Sequence, residues 1–113
     1  MFGGNNLEKI QKLGQKGKTK RILPYATSKK ADERAAAATA LGGASDDDSC
    51  NALVRMLRDA EMSVRISAAG ALKSMRRESV VEHLRQAAKT STDEAFKAAC
   101  NDAVASIISS GKK

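Results

Sequence analysis

The stretch SVRISAAGAL at residues 63–72 has a quieter counterpart, DERAAAATAL, at residues 32–41. Aligned on Arg34 and Arg65, which are 31 positions apart, Ala37-Ala38-Thr39-Ala40-Leu41 falls on Ala68-Ala69-Gly70-Ala71-Leu72. A third copy lies 32 positions further on. There Phe96-Lys97 and Cys100-Asn101-Asp102-Ala103-Val104 take the slots of Val64-Arg65 and residues 68–72. Val64, Ala68, Ala71, Leu72 and Met75 follow the i, i+4, i+7, i+8, i+11 pattern of one helix face, and Phe96, Cys100, Ala103, Val104, Ile107 and Ile108 do the same. A second apolar stripe precedes each copy: Ile22 and Leu23, then Leu53 and Val54, then Leu84, again 31 apart. Each unit therefore reads as two helices, and there are three units. One pair of short helices cannot cover its own apolar face, whereas stacked pairs share a continuous core.

Composition agrees with closely packed helices. The 113 residues include no Trp, one Tyr, two Phe and one Pro, so a core must be built from Ala, Leu, Ile, Val and Met. The length suits a single domain spanning residues 1–113. Helix starts are expected at SDDDS (45–49), RES (77–79) and TSTDE (90–94), where Ser, Thr or Asp can cap free amides. Gly42-Gly43 is expected to close the first unit and Gly111 the last. Pro24 should kink or shorten the first helix of unit 1. Residues 5–15, with Leu7, Ile10 and Leu13, read as an N-terminal helix capping the stack. The boundaries are then 1–16 for the cap and 17–44, 45–76 and 77–110 for the repeats. The fold class is all-α.

Chemistry-bearing constellations are scarce. His83 is the single histidine, so neither a nucleophile–His pair that repeats nor a multi-histidine metal site is written here. DDDS at 46–49 lacks the Gly and distal Glu of a calcium loop and suits a helix N-terminus instead. GGNN (3–6) and GQKGK (14–18) follow no strand and lack phosphate-loop spacing. Cys50 and Cys100 read as packed, reduced thiols of a cytoplasmic protein. There is no apolar run long enough for a membrane span. We expect no enzyme activity, no metal and no cofactor.

The pattern D-x-x-x-x-V-R-x-x-A-A-x-A-L, from Asp59 to Leu72, resembles the HEAT repeat, particularly its short phycobilisome-lyase-type form. The resemblance covers roughly residues 17–108. It implies a short right-handed α-α superhelix whose second helices line a concave side. It also implies a ladder in which Arg34, Arg65 and Lys97 fill the basic slot and Asp59 the acidic one. Ser28 and Thr90 stand in the acidic slots of the other units. The lyase activity of some relatives is not carried over, because nothing in these units corresponds to it.

What remains is surface. Opposite the Val64 stripe lie Ile66, Ala69, Gly70 and Lys73, with Ala35, Ala38 and Thr39 before them and Ala98, Asn101 and Asp102 after. This small-residued ridge, read through Ala35, Thr39, Ile66, Gly70, Lys73, Ala98 and Asp102, suggests a docking groove for a protein partner. Alanine is also simply a good helix former on a surface. The net charge of +7 is concentrated at one end: residues 1–30 hold eight basic side chains against Glu8 alone, and the rest cancel. Lys9, Lys12, Lys16, Lys18, Lys20 and Arg21 therefore form a basic patch. It suits an acidic protein partner or, alternatively, nucleic acid phosphates, although few aromatics are present for base stacking. A monomer is expected, or weak end-to-end self-association through apolar edges such as Ile108.

Overall fold

The computed structural model describes residues 5–110. Gly111 and the first glycines of GGNN lie outside them. Among the described residues every regular element is a helix: α1 (Asn5–Gln15), α2 (Thr19–Ile22) with a 3-10 turn (Leu23–Thr27), α3 (Ala31–Leu41), α4 (Asp47–Met56), α5 (Met62–Met75), a 3-10 turn (Glu78–Val80), α6 (Val81–Thr90) and α7 (Glu94–Ser110). Pro24 sits at the start of the first 3-10 turn, so the first helix of unit 1 shrinks to one α-turn and a tighter continuation.

The helices form two layers. α3 packs on α5, α5 on α7 and α1 on α3, while α4 lies against α5 and α6 against α7. The second helices of the pairs are thus one continuous sheet of helices, and α1 extends it by one. Each apolar stripe is buried as its period requires: Val64, Ala68, Ala71 and Leu72 in α5, Phe96, Cys100, Ala103, Val104 and Ile107 in α7, and Leu53, Met56 and Leu84 in the first helices. Ile10 and Leu13 seal the core from the cap.

The buried band is wider than the stripe. Ala38 and Ala69, placed on the open ridge by the sequence, are fully buried. They lie one helical turn before Gly42 and Lys73, on the side that faces the next second helix. The matching residue of α7, Asn101, is exposed, since among the described residues no further helix packs on that side of α7. Ile108 is half-buried against the core rather than a bare apolar edge, and Met62, at 37%, is the exposed large apolar side chain among the described residues.

Two glycines set the helix spacing. A Cβ on Gly14 would stand 2.9 Å from the Ala40 Cβ, and one on Gly42 would stand 3.1 Å from the Ala71 Cα and Cβ. Ala40 and Ala71 occupy the same repeat slot, so α1 meets α3 as α3 meets α5. Gly42 does end α3, but in right-handed geometry (φ −62°, ψ −22°), and its lack of a side chain serves the helix contact. At the third interface the corresponding residue is Lys73, whose Nζ reaches Asp102 at 2.7 Å.

The expected caps at 46 and 93 are present. Asp46 accepts from the Ser49 amide (3.0 Å) and hydroxyl (2.8 Å), and Asp93 accepts from the Phe96 amide (2.9 Å). RES differs: Ser79 is exposed within the second 3-10 turn, and no side chain caps α6.

Candidate functional site

The turn between the helices of each pair is built around the basic slot. Arg34 Nε and Nη2 donate to the two carboxylate oxygens of Asp59 at 2.8 and 2.9 Å, while Nη1 donates to the Ser28 carbonyl at 2.9 Å. Both side chains are mostly buried, and the fork lowers the Asp59 pKa against the opposing effect of burial. Arg65 repeats half of this arrangement: Nη1 donates to the Asp59 carbonyl at 2.7 Å, and the guanidinium lies 5.5 Å from the Phe96 ring centroid. Lys97 turns instead to Glu94 within its own helix, at 3.8 Å. The ladder therefore has one rung, Arg34–Asp59.

Geometry also corrects the acidic slot of unit 3. The Ser28 hydroxyl accepts from the Lys30 amide, Asp59 from the Glu61 amide and the Ser91 hydroxyl from the Asp93 amide, each two residues on and at 3.0–3.1 Å. Ser91, six residues before Lys97, is the equivalent of Asp59. Thr90 instead ends α6, with its hydroxyl donated to the Gln86 carbonyl at 3.0 Å.

Along the second-helix layer, Thr39, Gly70, Ala98 and Asp102 are exposed, and Ala35, Ile66 and Lys73 are half-buried. Ile66 packs partly on the core and does not stand free. Lys73 and Asp102 satisfy each other. Where α1 meets α3 the layer opens into a groove of about 590 Å³ whose wall includes Leu7, Gln11, Asp32, Ala36, Thr39 and Ala40. The open space beside Gly70 distinguishes it from the spacing glycines: nothing lies within 4 Å of a Cβ placed there.

At the basic end, Lys9, Lys12, Lys16, Lys18, Lys20 and Arg21 are all exposed. Lys9, Lys12, Lys16 and Arg21 line one shallow depression of about 420 Å³ with Glu8 and Leu13. Glu8 reaches Lys12 at 3.9 Å between side chains that are both largely in solvent, so it neutralises little.

Two polar clusters escaped the sequence reading. Glu33, only 6% exposed, accepts from the Ser28 hydroxyl (2.6 Å) and from the Asn6 amide group (2.8 Å). Those bonds, Ser28 first, lower its pKa despite burial, and the Asn6 bond ties the cap to unit 1. Arg77 donates to Asp47 at 2.8 Å and to the Ser45 carbonyl, joining the start of unit 3 to that of unit 2. The ties that cross units, Asn6 to Glu33 and Arg77 to Asp47 and Ser45, have no local signal, since those partners lie about a repeat away. Cys50 and Cys100 are free and buried, and burial pushes the Cys100 thiol up to about 11. Among the described residues no group of His, Cys, Asp or Glu is placed to hold a metal ion, and no helix is long and apolar enough to cross a membrane.

A family model for HEAT repeats matches residues 19–105. The chain belongs to the HEAT repeat family. The match spans all three helix pairs and leaves α1 outside, which agrees with α1 being a lone second-layer helix. A search of curated proteins returns no match. As a HEAT repeat chain it is of a type that generally mediates protein–protein interactions.

Proposed function

We propose that this chain is a non-enzymatic interaction module that takes a protein partner on its second-helix face. The observation that supports this most directly is a contrast between the first helices and the two middle members of the second-helix layer, α3 and α5. The first helices expose long polar chains such as Arg55, Glu82, Arg85 and Lys89, whereas α3 exposes only Asp32 and Thr39, and α5 exposes Met62, Ser63, Gly70 and Ser74. A solvated face usually carries mobile charged side chains. A face of short ones leaves backbone within reach of a docked element and gives up little side-chain entropy on binding. Ala35, Thr39, Ile66, Gly70, Lys73, Ala98 and Asp102 form the docking row of this reading, and the basic end steers acidic partners toward it. In the same reading residues 1–113 act as one binding unit nearest to the short phycobilisome-lyase-type repeats, without their chemistry, and work in the cytoplasm.

The test is affinity capture from the source cells with the wild-type chain and a Thr39→Arg/Gly70→Arg/Ala98→Arg variant of unchanged helicity. A stoichiometric protein retained by the wild type and lost by the variant supports the face. Equal retention by both sinks it.

A second reading rests on the depression lined by Lys9, Lys12, Lys16 and Arg21, which faces a single opposing acid. It associates the basic end with nucleic acid phosphates without sequence readout. Retention on DNA that collapses with moderate salt and vanishes on Lys9→Glu/Lys16→Glu substitution distinguishes this reading from the first.

A further inference from the structure

The one rung of the ladder defines what a filled arginine fork looks like here, and the next interface presents the same fork unfilled. In Arg34, Nη1 is anchored on the Ser28 carbonyl and the remaining pair, Nε and Nη2, holds a carboxylate. In Arg65, Nη1 is anchored on the equivalent Asp59 carbonyl, and among the described residues Nε and Nη2 meet no acceptor. The position that should supply one is Ser91, whose hydroxyl is committed to the Asp93 amide. The Asp59 carboxylate is committed to Arg34. Beside the open fork lies a groove of about 480 Å³ whose wall includes Arg58, Arg65, Ser91, Thr92 and Phe96, together with Asp59, whose carboxylate is the one held by Arg34. The Phe96 ring holds the guanidinium in place, and Arg58, without an ion pair among the described residues, adds a second positive charge.

We infer that Arg65 is a receptor for a carboxylate brought from outside the chain, taken by Nε and Nη2 in the bidentate manner that Arg34 uses for Asp59. A planar guanidinium fixed by one carbonyl and an aromatic face presents two parallel donors, a geometry that matches a carboxylate. The ligand is either a small free acid or an Asp or Glu side chain of another protein. The site lies at the inter-helix turns and does not depend on the docking row.

Titration of the isotope-labelled full chain with acetate, with chloride at matched ionic strength as control, reads the Arg65 Nε–H resonance by NMR. A saturable shift at Arg65 with acetate and not chloride, and none at the already filled Arg34, is expected. Ser91→Asp places an internal carboxylate in the slot that Asp59 fills one repeat earlier. It should weaken the acetate response roughly tenfold or more, the scale of one charge-assisted hydrogen bond, and raise Tm. Arg65→Lys, which keeps the charge and loses the fork, should show no saturable acetate response in the Phe96 amide, so the inference stays open to refutation even if Ser91→Asp folds poorly. A capped Gly-Gly-Asp-Gly-Gly peptide that saturates the same resonance at far lower concentration than acetate assigns the source to a protein segment, and equal concentrations assign it to a free acid. No shift at Arg65, an undiminished shift in a folded Ser91→Asp chain, or a response confined to residues 9–21 overturns the inference.

Discussion

The same atom added at two glycines should move stability in opposite directions. Gly70 lies in the interior of α5 with open space around it, so Gly70→Ala brings no clash. It removes the backbone entropy penalty of a helical glycine, about 1 kcal/mol relative to alanine. Gly14 lies in the last turn of α1, where the propensity gain is smaller, and the new methyl would stand 2.9 Å from the Ala40 Cβ and 3.2 Å from its Cα. Carbon atoms in contact prefer about 3.5–4.0 Å, so α1 and α3 must part by several tenths of an ångström. Overpacking of this kind costs about 1–3 kcal/mol, and after the small helical gain we expect Gly14→Ala to lose about 1–2 kcal/mol. For a chain of this size each kcal/mol moves Tm by about 4 °C. Thermal melts followed by circular dichroism should therefore rise by about that much for Gly70→Ala and fall for Gly14→Ala. Hydrogen exchange should localise the second effect to α1 and its contact with α3, because an end helix can loosen without global unfolding. Shifts of the same sign, or unchanged protection of α1 in Gly14→Ala, would refute the account of glycine as the spacer between second helices.

Other consequences can be checked with the same melts. Asp59, whose pKa is lowered chiefly by the Arg34 bond, contributes stability that is complete above its unfolded value of about 3.9 and fades as pH falls through its lower folded value. The Tm difference between wild type and Asp59→Asn should thus be widest near neutrality and close below about pH 4; a gap that persists in acid would mean packing, not charge, is lost. Asp46→Ala removes the cap of α4 and should cost about 1 kcal/mol, whereas Ser79→Ala should leave Tm unchanged. Leu72→Ala, at a fully buried position between the layers, should cost about 2–5 kcal/mol in urea unfolding. Native Cys100 should resist a thiol reagent until the chain unfolds, since burial suppresses its thiolate.

The helix pairs were legible because the apolar period and the caps are local signals. Val64 to Met75 and Asp46 to Ser49 carry their meaning within a few residues. What the sequence hid depends on neighbours a repeat away. Ala38 and Ala69 read as surface because a one-face stripe accounts for only one contact, whereas a second helix inside the stack has neighbours on both sides. Gly42 reads as a stop, since nothing beside it reveals that Ala71 will press against it. Thr90 took the acidic slot because a constant 31-residue count ignores the additional residue of unit 3. That residue displaces everything after it by one, as the 32-residue step from Arg65 to Lys97 shows, and the bond from the Asp93 amide to the Ser91 hydroxyl places the shift before residue 91.

The three contacts in the second-helix layer are built from the same slots but are not equivalent, and the difference has a direction. The first two are closed by glycine on alanine, Gly14 on Ala40 and Gly42 on Ala71, and both carry a polar tie, Asn6 to Glu33 and Arg34 to Asp59. The third has Lys73 where the glycine stood and leaves the arginine fork without its acid. Its own ion pair, Lys73 to Asp102, is largely in solvent and is therefore weak. Unit 3 should consequently be held to the stack mainly by α5–α7 side-chain packing and by Arg77 reaching back to Asp47 and Ser45. Native-state hydrogen exchange should then find the α6–α7 pair opening at lower free energy than α3 and α5, and Ser91→Asp should narrow that difference. If α6 and α7 exchange only with global unfolding, the empty fork carries no penalty for the stack.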